Sequence, residues 1–130
     1  MKKYLIVDDE KDTKSLFDQR FRKEVAAKEA ELFYSQTAEE ALSYLAETHE
    51  PHIILSDINM PGMNGLIFLK IVKEKYPQHK VIMITAYADE FNIETAKKEG
   101  ADGFINKPID FMKLKEFLSV SICKSIEAGS

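Results

Sequence analysis

The chain has 130 residues, 45% of them hydrophobic and 31% charged, with a formal net charge of −4. That length fits one domain over residues 1–130, with a core large enough to need neither disulfides nor a structural metal. The acidic balance disfavours direct nucleic-acid binding, the lone Cys123 excludes an intrachain disulfide, and no apolar run is long enough to span a membrane. A single cysteine also agrees with a reducing, cytoplasmic setting.

Met1-Lys2-Lys3 leads straight into Tyr4-Leu5-Ile6-Val7, a short β-type run rather than a signal peptide. The run ends on Asp8-Asp9-Glu10. Three adjacent acids repel one another unless a cation or base sits among them. The alternative is a solvated acidic turn opening a helix, where negative charge is favourable. Leu16, Phe17, Phe21 and Val25 then recur at helix spacing, and Phe17, Phe21 and Val25 are assigned to the core. Residues 26–30 are Ala-rich and lack Gly or Pro, so this helix is free to run long. Glu31 to Ser35 reads as a second strand. Thr37-Ala38-Glu39-Glu40 reads as a capping box, with Thr37 as N-cap and Glu40 reaching back. The helix it opens buries Ala41, Leu42 and Leu45, and Pro51 marks the break after it.

His52 to Ser56 is a third strand, apolar enough for burial on both faces, and it delivers Asp57. A turn through Asn59-Met60-Pro61-Gly62-Met63-Asn64 follows, and a helix is expected over Gly65 to Tyr76 with Leu66, Leu69, Ile71 and Val72 apolar. Lys80 to Ile84 is the fourth strand, delivering Thr85 and the small Ala86. Asp89 is a plausible N-cap for a helix through Glu99, stopped by Gly100. Its few large apolar residues, Phe91 and Ile93 beside Ala96, predict a loosely held element. Asp102 to Asn106 is the fifth strand and ends at Lys107-Pro108. The last helix runs from about Asp110 towards Ala128, with Phe111, Leu114, Phe117, Leu118 and Ile122 inward.

Five strands alternating with five helices make an α/β, doubly wound parallel sheet with right-handed crossovers. All strand carboxyl ends then share one edge, which is where such sheets bind ligands. Asp8 and Asp9, Asp57, Thr85 and Lys107 follow strands one, three, four and five. The second strand offers only Ser35 and Gln36, which puts it at the side of the sheet. Three close carboxylates call for a divalent cation, and hard oxygen donors favour Mg²⁺, which keeps waters and suits phosphate. Thr85 and Lys107 then bind the remaining oxygens of a phosphoryl group, and the carboxylate between metal and ammonium is the nucleophile.

At these residues the sequence resembles the response-regulator receiver domains of two-component signalling. The resemblance runs from Tyr4 into the last helix. It rests on Asp8-Asp9, on Asp57 before Met60-Pro61-Gly62-Met63-Asn64-Gly65, on Thr85-Ala86 and on Lys107-Pro108. It implies a flavodoxin-like fold with strand order 2-1-3-4-5. Asp57 is then the phosphoacceptor for a histidine kinase or phosphotransfer protein. Asp9 ligates Mg²⁺ directly, Asp8 mainly through water, and Asn59 through its backbone carbonyl. Thr85 binds a phosphoryl oxygen, Ala86 leaves room for it, Lys107 pairs with the phosphoryl group or Asp57, and Pro108 follows a cis peptide bond. Phe104 stands where many relatives have tyrosine and couples to Thr85 as a switch. The fourth helix, fifth strand and fifth helix become the partner face, with Ile93, Lys97, Phe104 and Lys113 as candidates. Asn59 and Tyr87 flank the site, and a bulky Tyr87 predicts slow self-hydrolysis.

Other residues carry less. Cys123 reads as a small packing residue. His49, His52 and His79 lack ligand spacing with one another or with Cys123, so zinc is not expected. Met60 and Met63 shape the loop beside Asp57, and Lys97-Lys98 is a solvated face. Two rival functions are weighed. Asp57-Ile58-Asn59 resembles the haloacid dehalogenase phosphatases, but Asn replaces the general acid and the chain has no room for a cap domain. A degenerate receiver that docks without phosphate is opposed by the complete set Asp8, Asp9, Asp57, Thr85 and Lys107. The expectation is therefore a switch module, self-phosphorylating and self-dephosphorylating only. It is either a stand-alone domain docking on an unknown partner or the receiver piece of a longer regulator with a C-terminal output domain.

Overall fold

The computed structural model describes residues 2–60, 62–87 and 89–118. Five strands, β1 (Lys2–Val7), β2 (Ala30–Ser35), β3 (Ile53–Asp57), β4 (Lys80–Thr85) and β5 (Gly103–Asn106), form one sheet in the order β2-β1-β3-β4-β5. Every pairing is parallel. The helices are α1 (Lys11–Arg20), α2 (Arg22–Ala26), α3 (Ala38–Glu47), α4 (Gly65–Lys75), α5 (Glu90–Lys98) and α6 (Phe111–Phe117). No described helix is long and apolar enough to cross a membrane. The side position expected for β2 is observed, and so is the expected strand order.

The period of two along a strand builds two cores, one on each face. Leu5, Val7, Ile54, Val81 and Met83 pack with Ala41 and Leu45 of α3, Phe68, Leu69 and Val72 of α4, and Ala96 of α5. Tyr4, Ile6, Ile53, Leu55, Ile82 and Ile84 pack on the other face with Phe17, Phe21 and Leu114. β1, β3 and β4 are thus covered on both sides, which is why their sequences are nearly continuous apolar runs. Ile122 and Cys123 lie outside the described residues.

Six helices stand where five were expected, because the first divides at Phe21 (φ −103°, ψ 13°). Helical bonding nearly survives the break: Phe21 N donates to Phe17 O and Val25 N to Phe21 O, both at 2.9 Å. The Phe21 ring turns inward against Tyr4 and Phe17. Val25, expected in the core, is 43% exposed, and no residue of α2 is buried. The Ala-rich stretch stops without glycine: Lys28 takes the left-handed conformation (φ 60°), and Glu29 N closes onto Glu24 O at 2.8 Å. In α4 the buried residues are Gly65, Phe68, Leu69 and Val72; Leu66 is partly buried against the same core, and Phe68 joins it without having been among the expected apolar positions. Thr37 caps α3 as expected, accepting from Glu40 N, whereas Glu40 reaches one residue further back, to Gln36 N.

Two of the histidines share a contact that their spacing in the sequence does not show. His52 and His79 meet at the amino edge of β3 and β4, with ring centroids 5.6 Å apart. They do not make a zinc site. His79 Nδ1 accepts from His52 N, and both His52 ring nitrogens are engaged, with Tyr44 OH and Glu50 O.

Candidate functional site

At the carboxyl edge the sheet ends one residue at a time on polar groups. Val7 pairs with Ser56, Asp57 with Ile84, and Thr85 with Asn106. Asp8, Asp57, Thr85 and Lys107 are therefore neighbours by register alone. One carboxylate oxygen each of Asp8, Asp9 and Asp57 lies within 4.8 Å of the others. Asp57 is buried, Asp8 half-buried and Asp9 exposed. This gradient leaves Asp9 as the acid most open to solvent.

Lys107 holds the cluster together. Its Nζ donates to Asp57 Oδ2 at 3.1 Å and to Asp8 Oδ2 at 3.2 Å, and lies 3.8 Å from Glu10 Oε1. Burial raises the Asp57 carboxyl above the usual carboxylate range, against the pull of the Lys107 ammonium. Burial also disfavours the charged form of Lys107, but its hydrogen bonds and charge pairing with Asp57 and Asp8 outweigh this and raise it. The peptide bond from Lys107 to Pro108 is cis, as the resemblance implied. Lys107 N donates to Thr85 O at 2.8 Å, tying the two strand ends together.

Thr85 is fully buried, and its hydroxyl oxygen accepts from Tyr87 N at 3.0 Å and from Asn59 Nδ2 at 3.5 Å. Asn59 N in turn donates to Asp57 Oδ1 at 3.2 Å. The loop after Asp57 is pinned by Gly65, whose N–H donates to Ile58 O at 2.8 Å. A Cβ on Gly65 would stand 2.1 Å from the Asp57 carbonyl oxygen, so only glycine fits. Asn64 caps α4 from this loop, accepting from Leu66 N at 2.7 Å. Ala86 is exposed beside Thr85, and Tyr87 is 66% exposed, so its ring would have to leave solvent to shield Asp57 from water. Phe104 on β5 is partly buried against the core face that α3 and α4 cover.

Asp8, Asp9, Asp57, Thr85 and Lys107 thus converge as expected. Thr13 joins them although its sequence position drew no notice. It is buried, and its hydroxyl donates to Asp8 Oδ2 at 3.0 Å. The available signal was a hydroxyl five residues after the first acid, in the first turn of a helix. The proposed partner-face residues lie apart from the cluster: Lys97 and Lys113 are exposed, Ile93 and Phe104 partly buried. Tyr87, Phe91 and Met112 are also exposed nearby in sequence.

The donor set fits Mg²⁺. It is all oxygen, carries three carboxylates, and opens to solvent at Asp9 so that waters can complete the shell. Asp57 sits between these donors and an ammonium, where a carboxylate meets an incoming phosphoryl group with charge on both sides.

The chain is similar to known proteins in sequence and in fold. PilR of Pseudomonas aeruginosa is 33% identical over 122 residues, 92% of this chain. The DNA-binding transcriptional regulator NtrC of Proteus hauseri is 44% identical over 63 residues, 48% of this chain. The chain spans 26% of the length of PilR and 13% of that of NtrC. Among solved structures, the CheY-like receiver domain protein of Methanospirillum hungatei is 30% identical with a TM-score of 0.80, covering 95% of this chain and 98% of that one. TrrA of Thermotoga maritima, solved in complex with Mg²⁺ and BeF, is 28% identical with a TM-score of 0.75, covering 92% and 97%. Residues 4–119 match the family described as the response regulator receiver domain, and the chain belongs to that family.

Proposed function

We propose that the chain is a phosphorylation-controlled signalling switch whose phosphoacceptor is Asp57. The observation that carries this reading is the position of its buried carboxylate, within 4.8 Å of the acids Asp8 and Asp9 and 3.1 Å from Lys107 Nζ. A carboxylate oxygen of Asp57 attacks the phosphorus of a kinase or phosphotransfer-protein phosphohistidine. The P–N bond breaks, an acyl phosphate forms, and the leaving imidazole nitrogen keeps the electron pair and takes up a proton. Asp8, Asp9, Asp57 and the Asn59 backbone carbonyl would hold Mg²⁺, which when bound offsets charge on the phosphoryl oxygens. Lys107 pairs with the transferred group. The Thr85 hydroxyl leaves its Tyr87 and Asn59 partners to donate to a phosphoryl oxygen, with Ala86 leaving space.

Inward movement of Thr85 frees volume behind β4, and Phe104 takes it up. The change then reaches α5, β5 and α6, the fourth and fifth helices of the sequence expectation with the strand between them. This surface controls a partner or an output domain, without direct nucleic-acid or membrane contact by this domain, in the cytoplasm. The mechanism is a population shift between two packings, driven by differential contacts of the phosphoryl group. Beyond its own phosphorylation and dephosphorylation the domain turns over no substrate.

The switch is tested by amide NMR before and after a small phosphodonor is added with Mg²⁺. The expected result is a set of shift changes at Thr85, Tyr87, Phe104 and through α5 as well as around Asp57. Changes confined to the Asp57 loop, or none, would contradict it.

A further inference from the structure

We propose that Thr13 is a positioning residue that keeps the Asp8 carboxylate set for the divalent cation independently of Lys107; this rests on the magnesium reading of the site. Asp8 is held by three donors. Glu10 N donates to Oδ1 at 2.9 Å, while Oδ2 accepts both Lys107 Nζ at 3.2 Å and the Thr13 hydroxyl at 3.0 Å. The two donors on Oδ2 differ in kind. Lys107 is a mobile point charge shared with Asp57 and Glu10, and a phosphoryl group on Asp57 draws it away from Asp8. Thr13 is neutral, short and immobile.

Thr13 is the third residue of α1, only 8% exposed, and its backbone N–H is tied to Glu10 O at 3.2 Å. Helical threonine commonly turns its hydroxyl onto a carbonyl of the preceding turn. Here the hydroxyl points instead at a carboxylate whose side chain is only 6% exposed. Once Lys107 leaves, Thr13 and Glu10 N are the donors that still fix the rotamer of Asp8. Without the hydroxyl, Oδ2 loses its remaining partner at the moment the site must hold the ion. Carboxylates that ligate metals are themselves hydrogen-bonded, and losing such a partner typically weakens metal binding 10- to 100-fold.

The test is the Mg²⁺ dissociation constant, measured by NMR titration of the intact chain for the native Thr13, Thr13→Val and Thr13→Ser, each with Lys107 present and with Lys107→Met, which leaves Thr13 and Glu10 N as the donors to Asp8. Valine keeps the shape and removes the donor. The expected result is that, with Lys107→Met, Mg²⁺ binding is weakened about tenfold by Thr13→Val and restored by Thr13→Ser, each chain still folding when ion-free. Thr13→Ala repeats the comparison should the valine variant fail to fold. An equal constant with and without the Thr13 hydroxyl in the folded Lys107→Met chains overturns the role of Thr13 alone. Absence of Mg²⁺ binding by wild type overturns the magnesium reading and the role of Thr13 with it.

Discussion

Gly65 is the residue that most tightly limits the site without taking part in it. Its missing side chain lets the loop after Asp57 fold back until Gly65 N reaches Ile58 O, and any Cβ would collide with the Asp57 backbone. Relief would require moving the strand end that presents Asp57. Gly65→Ala is therefore expected to cost on the order of 3 kcal/mol, the upper range for forced overpacking, and to weaken Mg²⁺ uptake as well. Urea unfolding and an Mg²⁺ titration of the same variant check both; wild-type values in both would remove Gly65 from the account. Lys107 illustrates the opposite economy. One ammonium neutralises part of a three-acid cluster, so Lys107→Met should leave Asp57 still more reluctant to ionise and slow phosphorylation by a small phosphodonor. Single-turnover phosphorylation by intact mass reads that rate, and an unchanged rate would deny Lys107 its part.

At the scale of elements, α5 differs from α4. Ala96 is its only buried residue, whereas α4 buries Gly65, Phe68, Leu69 and Val72. Side-chain hydrogen bonds hold the helix at its amino end: Asp89 accepts from Asn92 N at 2.8 Å, and Asn92 Nδ2 donates to Tyr87 O at 2.8 Å. Native-state hydrogen exchange should accordingly open α5 before α4. A helix that moves readily, tied through Tyr87 to the Thr85 hydroxyl, is what a switch needs. The end of α2 makes a second, independent test. Lys28 sits at φ 60°, a conformation that glycine adopts without a Cβ penalty. Lys28→Gly is expected to stabilise the fold by about 0.5–1 kcal/mol, read as a higher urea midpoint at constant slope.

These elements mark what was legible in the chain. The sheet was, because strands covered on both faces are written as unbroken apolar runs, and each run stops at a residue whose chemistry is visible: Asp8, Asp57, Thr85, Lys107. The break at Phe21 was not, because it follows from a ring turning onto Tyr4, a contact between segments. The stop at Lys28 was hidden for a related reason: its left-handed turn is closed by backbone bonds that any residue can supply. Thr13 escaped notice because aim, rather than residue type, gives it a partner. His52 and His79 looked unrelated at a separation of 27 positions, and only the parallel alignment of β3 with β4 brings their rings together.

That histidine pair has a consequence for the whole molecule. Burial, reinforced by His52 and Lys73, pushes His79 down to about 4, and burial likewise lowers His52. The unfolded chain, with ordinary imidazoles near 6.5, therefore binds these protons first. The pair's contribution to stability is full above about pH 6.5 and is lost as the pH drops towards about 4, where His79 protonates in the folded state too. Protonation puts a hydrogen on His79 Nδ1, the atom that accepts from His52 N, so the hydrogen bond is lost with it. His79→Asn, whose Oδ1 can accept from His52 N, should flatten the urea midpoint between pH 6.5 and 4; a profile as steep as wild type would assign acid lability elsewhere. This pair lies at the opposite edge of the sheet from Asp57, so the variant should leave phosphorylation intact.

The claim on which everything at the carboxyl edge depends is that Asp57 takes the phosphoryl group with the help of a divalent cation. Intact mass of the chain and of Asp57→Ala, each incubated with a small phosphodonor with Mg²⁺ or with a chelator, tests it directly. The expected result is a gain of one phosphoryl group in the wild type, absent with chelator and absent in Asp57→Ala. A gain that survives in Asp57→Ala, or none in wild type with Mg²⁺, would contradict it, and steady consumption of the donor without retained label would point instead to a hydrolase.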